Sequence, residues 1–156
     1  MKALIVVDYQ YDFADPNGSL YWPGGETLKE GIIKKIEEYQ QNNQFVVYTM
    51  DWHPDNHCSF EIWPPHCIQN TKGAEVLLDT NYADFIVKKG VELDKDSYSG
   101  FNKQTGCNIA LEDWLKINNV TEVEICGLVK QYCVEATYQD ALKFGFKASI
   151  IEDLVK

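Results

Sequence analysis

Residues able to do covalent or metal chemistry stand at the ends of apolar runs in this 156-residue sequence. Asp8 closes the run at 3–7, Asp51 closes 45–50 with His53 just beyond, and Lys89 follows 85–87. Cys133 comes soon after Gly127, the glycine that ends the run at 123–126. A thiol attacks a carbonyl carbon as thiolate, so it needs a base for its proton and donors for the oxyanion it creates. Asp8 can be that base, and Lys89 can supply positive charge. Singly, each has a plainer reading: a buried small hydrophobe for the cysteine, a strand-end cap for the aspartate, a solvated chain for the lysine. Strand alternation gives the solvated role to Lys88 instead, and four reactive strand ends together weaken the plain readings. Cys133 also opens a helical pattern, so the helix dipole and Lys89 are expected to depress its pKa.

A second constellation is Asp51-Trp52-His53, with His57 and His66 downstream, and it holds all three histidines of the chain. Asp and His two apart, plus a distant His, can place oxygen and nitrogen ligands around one divalent ion. Two or three protein ligands leave positions open for water and substrate, the mark of a catalytic site. The alternative is a set of side chains capping a loop.

The elements that must carry these residues alternate. Short apolar runs at 3–7, 45–50, 85–87, 123–126 and 146–151 read as strands, the first covered on both faces. Between them lie helical stripes: Leu28, Ile32, Ile36 and Tyr39 behind a Thr27/Glu30 capping box, then 109–117 with Leu111, Trp114 and Leu115 inward, then about 133–144. This alternation predicts a parallel α/β sheet of about five strands in one domain over 1–156. In such sheets the site lies outside the carboxyl ends of the strands, where the reactive residues stand. The segment 52–82 is a long loop, and long loops in compact domains tend to be functional.

Composition removes several classes of function. Fourteen basic against 24 acidic residues give a net charge of −10, and all fourteen are Lys. A strongly acidic chain without guanidinium groups is a poor binder of nucleic acid or anionic membranes. No run of eighteen apolar residues exists to span a bilayer, and the N-terminal apolar run is too short for a signal peptide. Cys58, Cys67, Cys107, Cys126 and Cys133 are odd in number and form no C-x-x-C pair. Reduced thiols in a cytoplasmic protein are expected.

The strings V-D-Y-Q-Y-D-F (7–13), D-W-H-P-D-N-H (51–57), W-P-P-H-C (63–67), K-G (89–90), Y-S-G-F (98–101) and Y-C-V (132–134) run in order through the chain. In these the sequence resembles nicotinamidases of the isochorismatase-like cysteine hydrolase family. The resemblance implies a three-layer α/β/α, Rossmann-like fold and hydrolytic deamidation of nicotinamide, with pyrazinamide a further substrate, in NAD salvage. It implies a catalytic triad of Asp8, Lys89 and Cys133 acting through a thioester, and metal ligands Asp51, His53 and His66, with His57 ligating in some relatives only. The ion implied is divalent, zinc first, with iron or manganese as alternatives. Phe13 and Trp63 match aromatic walls of a pyridine pocket bordered by Leu128 and Val129. A cis peptide at Leu128–Val129 and an oxyanion hole from the N–H groups of Val129 and Cys133 are implied as well. The chain departs from the pattern at Lys130 and Gln131, where relatives often carry a Thr-Asp or Thr-Glu pair. Relatives also continue past the fifth strand with a helix and a strand, so a homo-oligomer, most simply a dimer, is expected to cover that region. Rivals are a related amidase acting on another small carboxamide and a catalytically silent binding protein on the same fold.

Overall fold

The computed structural model describes residues 1–102 and 108–156, so Cys107 lies outside the described residues. Strands β1 (Lys2–Val7), β2 (Phe45–Asp51), β3 (Phe85–Lys89), β4 (Glu122–Gly127) and β5 (Lys147–Val155) form one sheet in the order β3-β2-β1-β4-β5. Every pairing is parallel. The apolar, β-branched sequences of β1 and β2 explain why both are buried on their two faces.

Alternation along the strands splits the core in two. Leu4, Val6, Val46 and Tyr48 point to one face, against Ile32 and Ile36 of helix α2 (Lys29–Gln41); the short helix α1 (Tyr11–Ala14) lies on that side too. Ala3, Ile5, Val7, Val47 and Ile125 point to the other, against Leu111 and Leu115 of α3 (Leu111–Ile117) and Ala141 of α4 (Glu135–Lys143). Helices on both faces of a parallel sheet make the expected three layers. Because β2 and β3 run off one side of β1 while β4 and β5 run off the other, the strand order reverses between β1 and β4. The crevice at such a switch point is where open α/β sheets bind ligands.

Three local expectations need correction. Thr27 does not cap α2: its hydroxyl donates to the Gly24 carbonyl at 2.6 Å within a tight turn over Gly25–Leu28 that already begins the helical path. Helix α3 starts at Leu111, not 109. Strand β5 continues past 151 to Val155, because Ile151 and Leu154 pack toward α2 while Ala148 and Ile150 pack toward α4. Both faces of β5 are therefore covered within the chain. What stays open, among the described residues, is its outer edge, since it pairs only with β4. No helix among the described residues is long and apolar enough to cross a membrane.

Candidate active site

Lys89 is the hub. As the last residue of β3 it points inward and is fully buried, whereas Lys88 points out with its ammonium 4.2 Å from the Trp52 ring centre. The Lys89 Nζ lies 2.7 Å from Asp8 Oδ2, 2.6 Å from Asp51 Oδ1 and 3.3 Å from Cys133 Sγ. A flexible four-carbon stem lets an edge strand deliver charge beneath residues that leave the ends of β1, β2 and β4. Asp8 leaves β1 with a left-handed backbone (φ 46°), which an aspartate tolerates. The Thr49 hydroxyl donates to Asp8 Oδ1 at 2.7 Å, leaving Oδ2 toward lysine and thiol.

Burial raises the pKa of Asp8, and the Lys89 ammonium opposes without cancelling that rise. For Asp51 burial also pushes upward, but Lys89 and His53 outweigh it and hold the carboxyl well below the usual range. Burial alone would lower Lys89, yet the two facing carboxylates drive it well above the ordinary lysine value. Two carboxylates against one ammonium leave one negative charge uncompensated in a buried place, which is costly unless a further cation is held there.

The donors for such a cation are present. The ligand atoms of Asp51, His53 and His66 all lie within 4.8 Å of one another. Asp51 Oδ2 is 3.5 Å from His53 Nε2 and 3.8 Å from His66 Nε2. Each ring turns Nδ1 to a backbone carbonyl, His53 to Gly90 and His66 to Pro64, both at 2.8 Å. A carbonyl can only accept, so each Nδ1 carries hydrogen, and in the neutral ring each Nε2 is then the nitrogen with the lone pair. The His53 Nε2 is buried without a hydrogen-bond partner. Such an orphaned acceptor beside a carboxylate fits a bound metal ion. Burial lowers the pKa of His66, which favours the neutral, ligating imidazole. Gly90, at φ 63°, must be glycine here, since a Cβ would lie 2.3 Å from His53 Cε1.

His57 stands apart from that set. It stacks on His53 with ring centres 4.0 Å apart, but its Nδ1 accepts from Ser59 and its Nε2 donates to the Lys95 carbonyl at 2.8 Å. Both nitrogens are engaged, although a second possible ligand group joins His53, His57 and Asp96.

Cys133 sits in a wide turn, Lys130–Val134, that runs into α4. The Val134 N–H reaches the Val129 carbonyl at 3.2 Å, and the Leu128–Val129 peptide is cis, as the resemblance implies. The expected depression of the Cys133 pKa does not hold. Burial pushes the thiol well above its ordinary value, and the Lys89 charge only partly opposes this, with Asp8 and Asp51 adding to the rise. This direction favours the protonated thiol at Cys133, with Asp8 beside it. Lys130 points outward to Glu152 at 2.6 Å, away from Cys133.

Above the thiol opens a pocket of about 480 Å³, mouth included, in which Phe13, Trp63, Leu128 and Val129 all take part. Phe13 stands 5.5 Å from the His66 ring, and Trp63 meets Tyr132 edge-on at 5.2 Å. Sequence reasoning missed several residues here. Tyr132 and Tyr98 extend the aromatic wall, and both stood inside the recognised strings. Thr49 orients Asp8. Gln10 is wholly buried and bonds the Asp51 backbone, while Asp12 accepts from the Cys67 N–H at 2.8 Å, next to His66. Their signal was faint: side chains that hydrogen-bond backbone leave no spacing pattern.

Fold, crevice and buried Cys-Asp-Lys cluster together define a class, and comparison of the sequence agrees. The isochorismatase domain family matches residues 2–156, and the chain belongs to that family. Among its relatives, the nicotinamidase/pyrazinamidase of Mycobacterium tuberculosis is 35% identical over 163 residues, covering 99% of this chain and 86% of that protein. Among solved structures, the pyrazinamidase of Pyrococcus horikoshii in complex with zinc matches with a TM-score of 0.91 and 43% identity, over 99% of this chain and 86% of that one. PnC1 from L. infantum in complex with nicotinate matches with a TM-score of 0.90 and 38% identity, over 99% and 80% respectively.

Proposed function

We propose that this site hydrolyses nicotinamide to nicotinate and ammonia, with pyrazinamide as a further substrate. One observation carries the reading: a single buried ammonium touches base, nucleophile and a metal-type carboxylate at the floor of an aromatic pocket. The identity to a pyrazinamidase solved with zinc and to a relative solved with nicotinate supports it.

In this mechanism Asp8 takes the Cys133 proton as sulfur attacks the amide carbon. A thiol that rests protonated requires that the base act during attack, and burial gives Asp8 the raised proton affinity this needs. The oxyanion is received by the N–H groups of Val129 and Cys133. In support, the Val129 N–H donates to no backbone carbonyl among the described residues. Asp8 returns the proton to departing ammonia, leaving a nicotinoyl thioester on Cys133. Asp8 then takes a proton from an attacking water, the thioester C–S bond breaks, Asp8 passes that proton to the departing Cys133 sulfur to restore the thiol, and nicotinate leaves. Lys89 keeps Asp8 available as carboxylate and steadies charge on sulfur. Asp51, His53 and His66 would hold a divalent ion, zinc in our assignment with iron or manganese as alternatives. When bound, it supplies a Lewis acid for the pyridine nitrogen and so orients the ring.

The four described cysteines are free thiols, which supports work in the reducing cytoplasm. For assembly we assign a two-fold dimer, supported by the open edge of β5. The test of function is direct. Zinc-loaded protein incubated with nicotinamide should release nicotinate and ammonia in equal amounts, and unchanged nicotinamide would refute the reading.

A further inference from the structure

We propose that Gln10 is a positioning residue for the metal site, fixing the place of Asp51 through its backbone; this rests on the reading of Asp51, His53 and His66 as ligands. The ladder between β1 and β2 ends at the pair Val7 and Thr49. There Asp8 turns into the left-handed region, and its N–H makes a last bond, 3.0 Å, to the Thr49 carbonyl. In a parallel strand alternate residues bond to the same side, so the next β2 residue facing β1 is Asp51. No residue of β1 remains to receive its N–H and carbonyl.

Gln10 fills that gap with its side chain. Its Oε1 accepts from the Asp51 N–H at 2.8 Å, and its Nε2 donates to the Asp51 carbonyl at 2.8 Å and the Ala74 carbonyl at 3.0 Å. Both amide hydrogens and one acceptor position are used, and the residue is 0% exposed. The carboxamide thus acts as one more rung, made by a side chain after the strand has left. Gln10 is itself tied down by an isolated antiparallel bridge to Val76. What the rung holds is consequential, because Asp51 divides its carboxylate between Lys89 on Oδ1 and the two histidines near Oδ2. A small backbone shift at Asp51 therefore moves a ligand atom and a triad partner together. Asparagine would withdraw the same groups by one methylene, and methionine would fill the space with no polar atom to offer.

The test measures zinc dissociation constants by competition with a chelator, alongside thermal unfolding, for the full chain. Gln10→Met should bind zinc about tenfold to a hundredfold more weakly, the range for loss of an outer-shell support. Ile36→Ala, a core truncation in α2, should lower the unfolding midpoint at unchanged zinc affinity, separating position from stability. A folded Gln10→Met that binds zinc within about threefold of the wild type, well under the outer-shell range, would overturn the inference. If Gln10→Met does not fold, Gln10→Asn decides by the same criterion, and failure of both to fold overturns it in favour of a purely structural role. Failure of the wild-type protein itself to bind zinc would overturn the metal reading, and this inference with it.

Discussion

Replacing Lys89 by Met would remove the one ammonium between Asp8 and Asp51 while keeping most of the stem's volume. Lys89 and Asp8 are both 0% exposed and Asp51 is 5% exposed, so the carboxylates left behind have little solvent to turn to. Breaking a buried pair by deleting one partner costs about 3–5 kcal/mol. At roughly 2–4 °C per kcal/mol for a domain of this size, the metal-stripped variant should melt about 6–20 °C below the wild type near neutral pH. The pH dependence is more diagnostic. In the wild type Asp51 lies below its ordinary 3.8, so its stabilisation is present above that pH and lost as pH falls through the folded value. Without Lys89, burial dominates and raises both carboxyls. A raised folded pKa gives stability that is present below 3.8 and lost as pH rises through the folded value. The melting gap between variant and wild type should therefore widen as pH climbs from acid to neutral. Calorimetry in chelator across that range measures it, and a gap that stays constant or narrows would refute the electrostatic role given to Lys89.

Asp51→Ala and His53→Ala should each lose bound metal and raise KM for nicotinamide while remaining folded; elemental analysis finding full occupancy in both would reject these ligands. Burial raises the phenols of Tyr9, Tyr39 and Tyr48, with Tyr9 pushed up to about 12. Their stabilisation is complete below the ordinary tyrosine value of 10.0 and, for Tyr9, lost as pH rises from there to about 12. Alkaline unfolding should accordingly begin in that window, whereas all nine tyrosines ionising together near 10 in a still-folded protein would contradict the burial. Sedimentation at micromolar concentration should find a dimer joined at β5, and a stable monomer would remove that proposal.

Much of the site was legible because strand ends, unlike strand middles, announce themselves. Apolar-rich runs of strand length, continuous only in the first and third, located all five strands, and simple alternation chose Lys89 over Lys88 for the interior. The topology that brings Asp8, Asp51, Lys89 and Cys133 to one rim follows from parallel pairing alone. Other features depended on distances that no spacing encodes. A helix-start position suggested a depressed thiol pKa, but two neighbouring carboxylates and complete burial reverse its direction. The Thr27 motif matched a capping box, yet its hydroxyl donates to the Gly24 carbonyl and caps no N–H of α2. Gln10 stood inside a quoted string, yet no role could be read for it, because its partners are backbone groups of residues 41 and 64 positions away.

The most direct test of the account is the mass of the enzyme during turnover. Rapid acid quench of zinc-loaded protein mixed with nicotinamide should show a fraction of chains heavier by one nicotinoyl group, mapping to Cys133. In Cys133→Ala both that adduct and ammonia release should fall to background in a folded protein. Nicotinate formed at an undiminished rate by Cys133→Ala would contradict covalent catalysis by this thiol.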